Sequence, residues 1–356
     1  MNYAVIMAGG AGTRLWPISR ERLPKTALAL YTNQSMFQIA VERLAPLFSP
    51  QQIIVVAGAS HAAFLAEQVP EIPTENYILE PEGRGTASAI ALVAVHLFAR
   101  DPEASMAVLT ADHFIGKPQT FRQALAAALH VAQSDYLVTL GITPDSPSTE
   151  YGYIEQGEQL LKVDGFKVLK AKRFVEKPDL NTAQAMLEAG NYCWNSGMFI
   201  WKISTILKAY ETLMPELYQQ VMRLGQTIGT NAYSDTLAQI WPNIKKQTID
   251  YGIMEKAERV AVLPVDIQWA DVGNWASLKQ LLPQDEHGNA IRGEALLLDC
   301  QNNLIFADKR LIAAIGLEDF VVVDTPDALL ICHKDRVQEV RQVVERLKAD
   351  GRQDLI

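Results

Sequence analysis

Gly9, Gly10 and Gly12 fall within four positions, followed at once by Thr13 and Arg14, with Lys25 a short way downstream behind Pro24. The run before them, residues 3–7, is short and wholly apolar and reads as a buried strand. A loop bare of side chains at the C-terminal end of a strand lets several backbone N–H groups converge on an anion. Arg14 and Lys25 add positive charge beside it, and Pro24 stiffens the segment that carries Lys25. A polyphosphate is the guest this chemistry suits. The competing reading is a turn that serves only tight packing. The loop is not a P-loop, because no Gly-Lys-Ser/Thr closes it. It also lacks the third glycine of a dinucleotide fingerprint, since Leu15 stands there.

Other residues could act with it. Asp112 directly follows an apolar run, residues 106–110, where a carboxylate can hold Mg²⁺ or can simply cap a loop. Asp271, in Trp269-Ala270-Asp271-Val272-Gly273, reads on its own as a helix cap. Glu176 and Lys177 precede Pro178 and offer an acceptor for hydroxyls and a cation for phosphate, or else form an exposed ion pair ahead of a helix. Asn195 and Gly197 supply a hydroxyl partner and a position where backbone approaches closely; Gly152, between Tyr151 and Tyr153, is a second such position. Glu80 and Pro81 open the turn Glu80-Pro81-Glu82-Gly83-Arg84-Gly85 ahead of an apolar helix.

The elements that would position these residues alternate strand and helix from residue 1 to about 140, which predicts an α/β fold with helices on both faces of a mainly parallel sheet. In such folds ligands gather at the C-terminal ends of strands, where Gly9, Gly10 and Asp112 fall. Ser35 and Gln38 form a capping box, Ser60 is expected to cap the next helix, and residues 263–269 are expected to return to strand. After about 285, short strands with regular polar breaks suggest a small β-solenoid or sandwich, closed by a helix over residues 335–347. The domains are expected at 1–284 and 285–356. A net charge of −9 argues against a general nucleic-acid binder and requires positive charge to be local or supplied by metal. Three cysteines without paired spacing point to neither disulfides nor zinc, so a reduced cytoplasmic setting is expected. The longest apolar run, residues 87–98, is too short to cross a bilayer, and no secretory leader is expected. No metallohydrolase, serine-hydrolase or Cys-x-x-Cys motif is present in the sequence.

Gly-Gly-x-Gly-Thr-Arg-Leu-x-Pro followed by Pro-Lys resembles the opening of the sugar-nucleotide pyrophosphorylases. The form with Trp16-Pro17 and Ser19-Arg20 is most similar to mannose-1-phosphate guanylyltransferases. The resemblance runs from Met1 to the C-terminal helix with its motifs in order. It implies a Rossmann-like mixed sheet and a short left-handed β-helix at the C-terminus. It implies guanylyl transfer from GTP to mannose 1-phosphate, with Arg14 and Lys25 catalytic and Gly9, Gly10, Gly12, Thr13, Glu80 and Pro81 on the nucleotide. Gly152, Glu176, Lys177 and Asn195 would hold the sugar phosphate, Asp112 and Asp271 would hold Mg²⁺, and Asp250 would support the sugar site. No nucleic-acid polymer or membrane is an expected partner, and a homodimer is left open. Larger relatives carry an isomerase domain; this chain is expected to carry the transferase activity alone. It departs from the family at Gly85, where relatives usually carry Asn, at Ser88 and Thr110 in place of Pro, and at Thr26-Ala27 in place of Gln-Phe. Two other classes compete with the enzyme. A non-catalytic sugar-nucleotide sensor is opposed by the retained Arg14, Lys25, Asp112, Glu176, Lys177 and Asp271, and a nicotinamide-dependent oxidoreductase is opposed by the missing glycine.

Overall fold

The computed structural model describes residues 1–10 and 12–356. Ala11, one member of the glycine-rich loop, lies outside the described residues. The chain forms two compact units. The first takes Met1–Ala8, Val41–Thr110 and Ile115–Trp269; the second takes Gly9–Ala40, Ala111–Phe114 and Ala270–Ile356.

The strands are, in chain order, β1 (Asn2–Met7), β2 (Ile53–Gly58), β3 (Tyr77–Glu80), β4 (Ser105–Thr110), β5 (His113–Ile115), β6 (Leu137–Ile142), β7 (Tyr153–Val163), β8 (Phe166–Val175), β9 (Tyr192–Lys202), β10 (Val260–Val265), β11 (Trp269–Asp271), β12 (Ala290–Arg292), β13 (Ala295–Leu298), β14 (Leu304–Phe306), β15 (Ile312–Ile315), β16 (Phe320–Asp324) and β17 (Leu329–His333).

The first unit is built on a nine-stranded sheet in the order β3-β2-β1-β4-β9-β6-β10-β8-β7. β3, β2, β1 and β4 run parallel, as do β6 and β10, while β9 runs antiparallel between β4 and β6. The central strands read as unbroken apolar runs because both faces are covered. The helix Thr86–Arg100 shows the same logic, with ten buried positions against β1, β2 and β4 residues. Met7 lies opposite Thr110, so β1 and β4 end at the same level. β7 and β8 form a long hairpin, and its two-residue turn is Asp164-Gly165 with both φ positive, the form that matches strand twist.

In the second unit β12, β14 and β16 stack in parallel, β17 closes that sheet antiparallel, and β13 stacks on β15. Buried asparagines tie successive rungs. Asn289 Oδ1 accepts from the N–H of Asn303 at 3.0 Å, and Asn303 Oδ1 accepts from the N–H of Phe320 at 2.9 Å. These coils share a core with the segment that follows the glycine-rich loop: Leu15, Leu28 and Leu30 pack with Trp275, Leu304, Val321 and Val340.

Several local expectations hold and others shift. The Ser35/Gln38 box caps Met36–Glu42 with both reciprocal hydrogen bonds. Ser60 lies inside the helix Ala59–Gln68, whose N-cap is Gly58. Residues 263–269 do not make one strand: β10 ends at Val265 and β11 begins at Trp269. The C-terminal helix opens as a 3-10 stretch, Lys334–Glu339, and becomes α-helical over Val340–Ala349.

Candidate active site

Gly12, in the second unit, has φ +59, and a Cβ there would stand 2.6 Å from the Cβ of Lys25. Only a residue without a side chain brings the loop backbone this near the Lys25 segment. Two hydrogen bonds hold the turn: Ser19 Oγ and the N–H of Leu15 both donate to the Gly12 carbonyl, at 2.6 and 2.8 Å. Lys25 opens a 3-10 turn behind Pro24 and is buried. Its ammonium donates to Asp112 Oδ2 at 2.6 Å and stands 3.5 Å from Asp271 Oδ1. Asp112 directly precedes β5 and Asp271 closes β11, and these two short strands pair. Asp271 is not the helix cap its sequence context suggests; Asn274 caps Trp275–Leu281, accepting from the N–H of Ser277.

Burial pushes the Asp112 carboxyl up, but the Lys25 ammonium, His113 and hydrogen bonds outweigh it, and the group sits at about 2. It is therefore a carboxylate at any working pH. Both Asp112 and Asp271 keep about a third of their side chains exposed, at 31% and 34%. Two hard oxygen donors with open faces suit Mg²⁺, which keeps water and phosphate oxygens in its shell. Among the described residues no group of three or more His, Cys, Asp or Glu side chains is arranged to hold a metal. Arg14 is exposed and its side chain reaches Gln338 Oε1 at 3.5 Å. Gly9 and Gly10 have open space where a side chain would stand, and Thr13 opens a 3-10 turn over Thr13–Leu15.

A second cluster forms in the first unit. The N–H of Asn195 donates to the Gly152 carbonyl at 2.8 Å. A Cβ on Gly152 would lie 2.6 Å from Glu176 Oε2 and 3.5 Å from the Cβ of Asn195. Asn195 Nδ2 donates to Asp250 Oδ1 at 2.7 Å, while its Oδ1 accepts from the N–H of Gly197 at 3.1 Å. One N–H and one lone pair of this amide remain for a ligand. Burial raises the Asp250 carboxyl, the Asn195 hydrogen bond opposes that, and the nearby Glu176 reinforces it. Asp250 opens a π-helical turn, Asp250–Met254, a form common at functional sites. The β9 register shifts against β6 between Thr139 and Gly141, so β9 bulges at Gly197, φ +67. Gly197 thus serves the bulge that re-aims Asn195, and a Cβ there would open onto free space among the described residues. Lys177 is exposed and pairs with Glu176 at 3.2 Å.

Glu80 ends β3 in the same unit. It is buried, its Oε1 has no hydrogen-bond partner among the described residues, and burial lifts its carboxyl to about 7. Pro81 follows on the exposed turn.

The nucleotidyl transferase family matches residues 3–288, and the MannoseP isomerase/GMP-like beta-helix domain matches residues 293–347. The chain is 39% identical to mannose-1-phosphate guanylyltransferase 2 of Escherichia coli O157:H7, over 99% of this chain and 75% of that one. The chain belongs to the mannose-1-phosphate guanylyltransferase family. It is 38% identical to ManC of Salmonella typhimurium, over 99% of this chain and 74% of that relative. A solved structure described as mannose-1-phosphate geranyltransferase from Thermus thermophilus superposes with a TM-score of 0.87 at 36% identity, covering 98% of this chain and 99% of that one. The nucleotidyltransferase fold and the C-terminal β-helix expected from the sequence are therefore those of this guanylyltransferase family.

Two features of the guanylyltransferase chain had little sequence signal. The Lys25 contact with both aspartates joins three segments far apart in the chain. Tyr151 meets the rings of Trp194 and Trp269 edge-on, with centroids 5.0 and 5.1 Å apart; Tyr151 and Trp194 adjoin Gly152 and Asn195 in sequence, but Trp269 does not, so the ring set is not visible from the chain alone.

Proposed function

We infer that this protein transfers a guanylyl group from GTP to mannose 1-phosphate, giving GDP-mannose and pyrophosphate. The observation that carries the reading is Lys25, packed on Gly12 and in contact with Asp112 and Asp271. A phosphate oxygen of the sugar attacks the α-phosphorus in line. One P–O bond forms, the α–β bridge bond breaks, and the electron pair leaves with pyrophosphate. The attacking group is already an anion, so no protein nucleophile is required, and catalysis is positioning with charge neutralisation.

The N–H groups of Gly9, Gly10, Gly12 and Thr13 hold the phosphates, and Arg14 and Lys25 neutralise the leaving pyrophosphate. Asp112 and Asp271 would hold Mg²⁺, whose charge offsets that of the phosphates. Lys25 meanwhile holds the Asp112 carboxyl below the usual carboxylate range. Gly152, Glu176, Asn195 and Asp250 take the sugar hydroxyls, and Lys177 its phosphate. Glu80 and Pro81 face the base. We assign residues 1–284 to the catalytic domain and 285–356 to the β-helix; the family matches over 3–288 and 293–347 support this division.

The test is pyrophosphate release with mannose 1-phosphate and Mg²⁺, run in parallel with GTP, ATP, dTTP and UTP. Release with GTP alone is expected. Release with another nucleotide instead would overturn the base assignment, and release with none would overturn the activity.

A further inference from the structure

The turn that follows Glu80 and the turn that presents Asp250 are fastened to each other within the first unit. Gly85 has φ +91, and a Cβ there would stand 2.2 Å from the Gln247 carbonyl oxygen, so that carbonyl fills the place of a side chain. The backbone pairs in both directions: the N–H of Gln247 donates to the Arg84 carbonyl, and the N–H of Ala87 donates to the Gln247 carbonyl, each at 3.2 Å. Two residues on, Thr86 Oγ1 accepts from the N–H of Ile249 at 2.9 Å. Ile249 is the N-cap of the π-helical turn, and the next residue is Asp250, bound to Asn195. From the other side, Trp241 Nε1 donates to the Glu82 carbonyl at 2.7 Å.

We propose that Thr86 and Gly85 are positioning residues that make the nucleotide-facing turn and the sugar-facing turn move as one, so that each substrate tightens the binding of the other. The proposal rests on the assignment of Glu80 and Pro81 to the base and of Asn195 and Asp250 to the sugar. Ordering the 80–86 turn around a base fixes Thr86 and the Gln247 backbone. These fix Ile249, and Ile249 sets where the Asp250 carboxylate stands toward Asn195. A ligand that orders one turn has then met part of the ordering cost of the other, which is a coupling between sites and is reciprocal.

The experiment measures the dissociation constant of mannose 1-phosphate with and without saturating guanosine 5′-(α,β-methylene)triphosphate, which cannot release pyrophosphate, and then the reverse. In the unmodified protein we expect at least about a fivefold tightening, the same factor in both directions, at the low end of typical site coupling. Thr86→Val keeps the shape and removes the acceptor, and should bring the factor close to one. Thr86→Ser restores the acceptor and should restore the factor. Gly85→Ala, which forces Gln247 away, should lose it as well and serves as the second variant if Thr86→Val does not fold. A factor that persists in folded Thr86→Val and Gly85→Ala would overturn the proposal, as would a factor of one in the unmodified protein. If the unmodified protein bound neither substrate, the functional reading itself would fall, and that result is read before any variant is made.

Discussion

In the proposed reaction, Lys25 is the residue on which the phosphate chemistry turns. Its ammonium is shared between Asp112 and Asp271. Lys25→Ala is expected to lower kcat by about 100-fold, the scale of losing one charged group from a transition-state site. The stability cost should be smaller, about 1–2 kcal/mol, because both aspartates keep open faces that water can reach. Steady-state kinetics beside urea denaturation separates the two; unchanged turnover would refute the charge role. Glu80 carries a different signature. Its folded carboxyl titrates near 7, above the unfolded value, because burial penalises the charged form. Stability from this group is complete below the unfolded value and is lost as pH rises toward 7, amounting to about 3 kcal/mol. Glu80→Gln should therefore be more stable than the parent at pH 8 and nearly equal to it at pH 4.5, as read by denaturant midpoints at the two pH values. Equal midpoints at pH 8 would show that Glu80 is not held in a desolvated site.

At the scale of elements, the cluster proposed to hold the sugar depends on one bulge and one close approach. β9 bulges at Gly197 and so aims Asn195 at Asp250, while Gly152 lets Glu176 and Asn195 close on the same backbone. Gly152→Ala is expected to raise the KM for mannose 1-phosphate about tenfold with little change in the KM for GTP, since the new Cβ meets Glu176 Oε2 at 2.6 Å. Equal shifts in both KM values would mean a general disturbance. These residues show what the chain discloses before it is folded. Gly152, Glu176 and Asn195 stand out by type and neighbours, and the apolar runs of β1, β4 and β9 are plain from hydropathy. The bulge is not legible, because a register shift depends on the facing strand β6, some fifty residues earlier in the chain. The Asn195–Asp250 bond is equally silent for the same reason. The Ser60 cap fails because Gly58 already supplies the extended N-cap and the helix starts two residues sooner than a cap at Ser60 requires.

At the scale of the whole molecule, the second unit takes its core from segments far apart in the chain. Trp275 is fully buried, its Nε1 donates to the Trp16 carbonyl at 3.1 Å, and its ring meets Phe306 edge-on. Trp275→Ala should cost about 3–5 kcal/mol, in line with truncation of a buried aromatic. Trp275→Phe keeps most of the packing and should lose about 1 kcal/mol with the hydrogen bond. Thermal midpoints would distinguish these, and similar losses for the two variants would place the stabilisation in the hydrogen bond. The glycine-rich loop could be read from the sequence as a phosphate cradle. That its supporting core comes from residues 270–356 could not, since local periodicity carries no information about which distant segment covers a given face.

Trp16 adds one more tie, since its Nε1 donates to the carbonyl of Leu355, on the far side of the β-helix in sequence. A ribosome makes Arg14 and Lys25 long before the apolar neighbours of Leu15, Trp16 and Leu28 emerge. The glycine-rich loop therefore waits through most of synthesis for its own core, exposed to proteases and to premature pairing. An interruption of translation before the β-helix would leave Leu15, Trp16 and Leu28 without the residues that bury them, so chains that stop there are expected to release no pyrophosphate in the assay above.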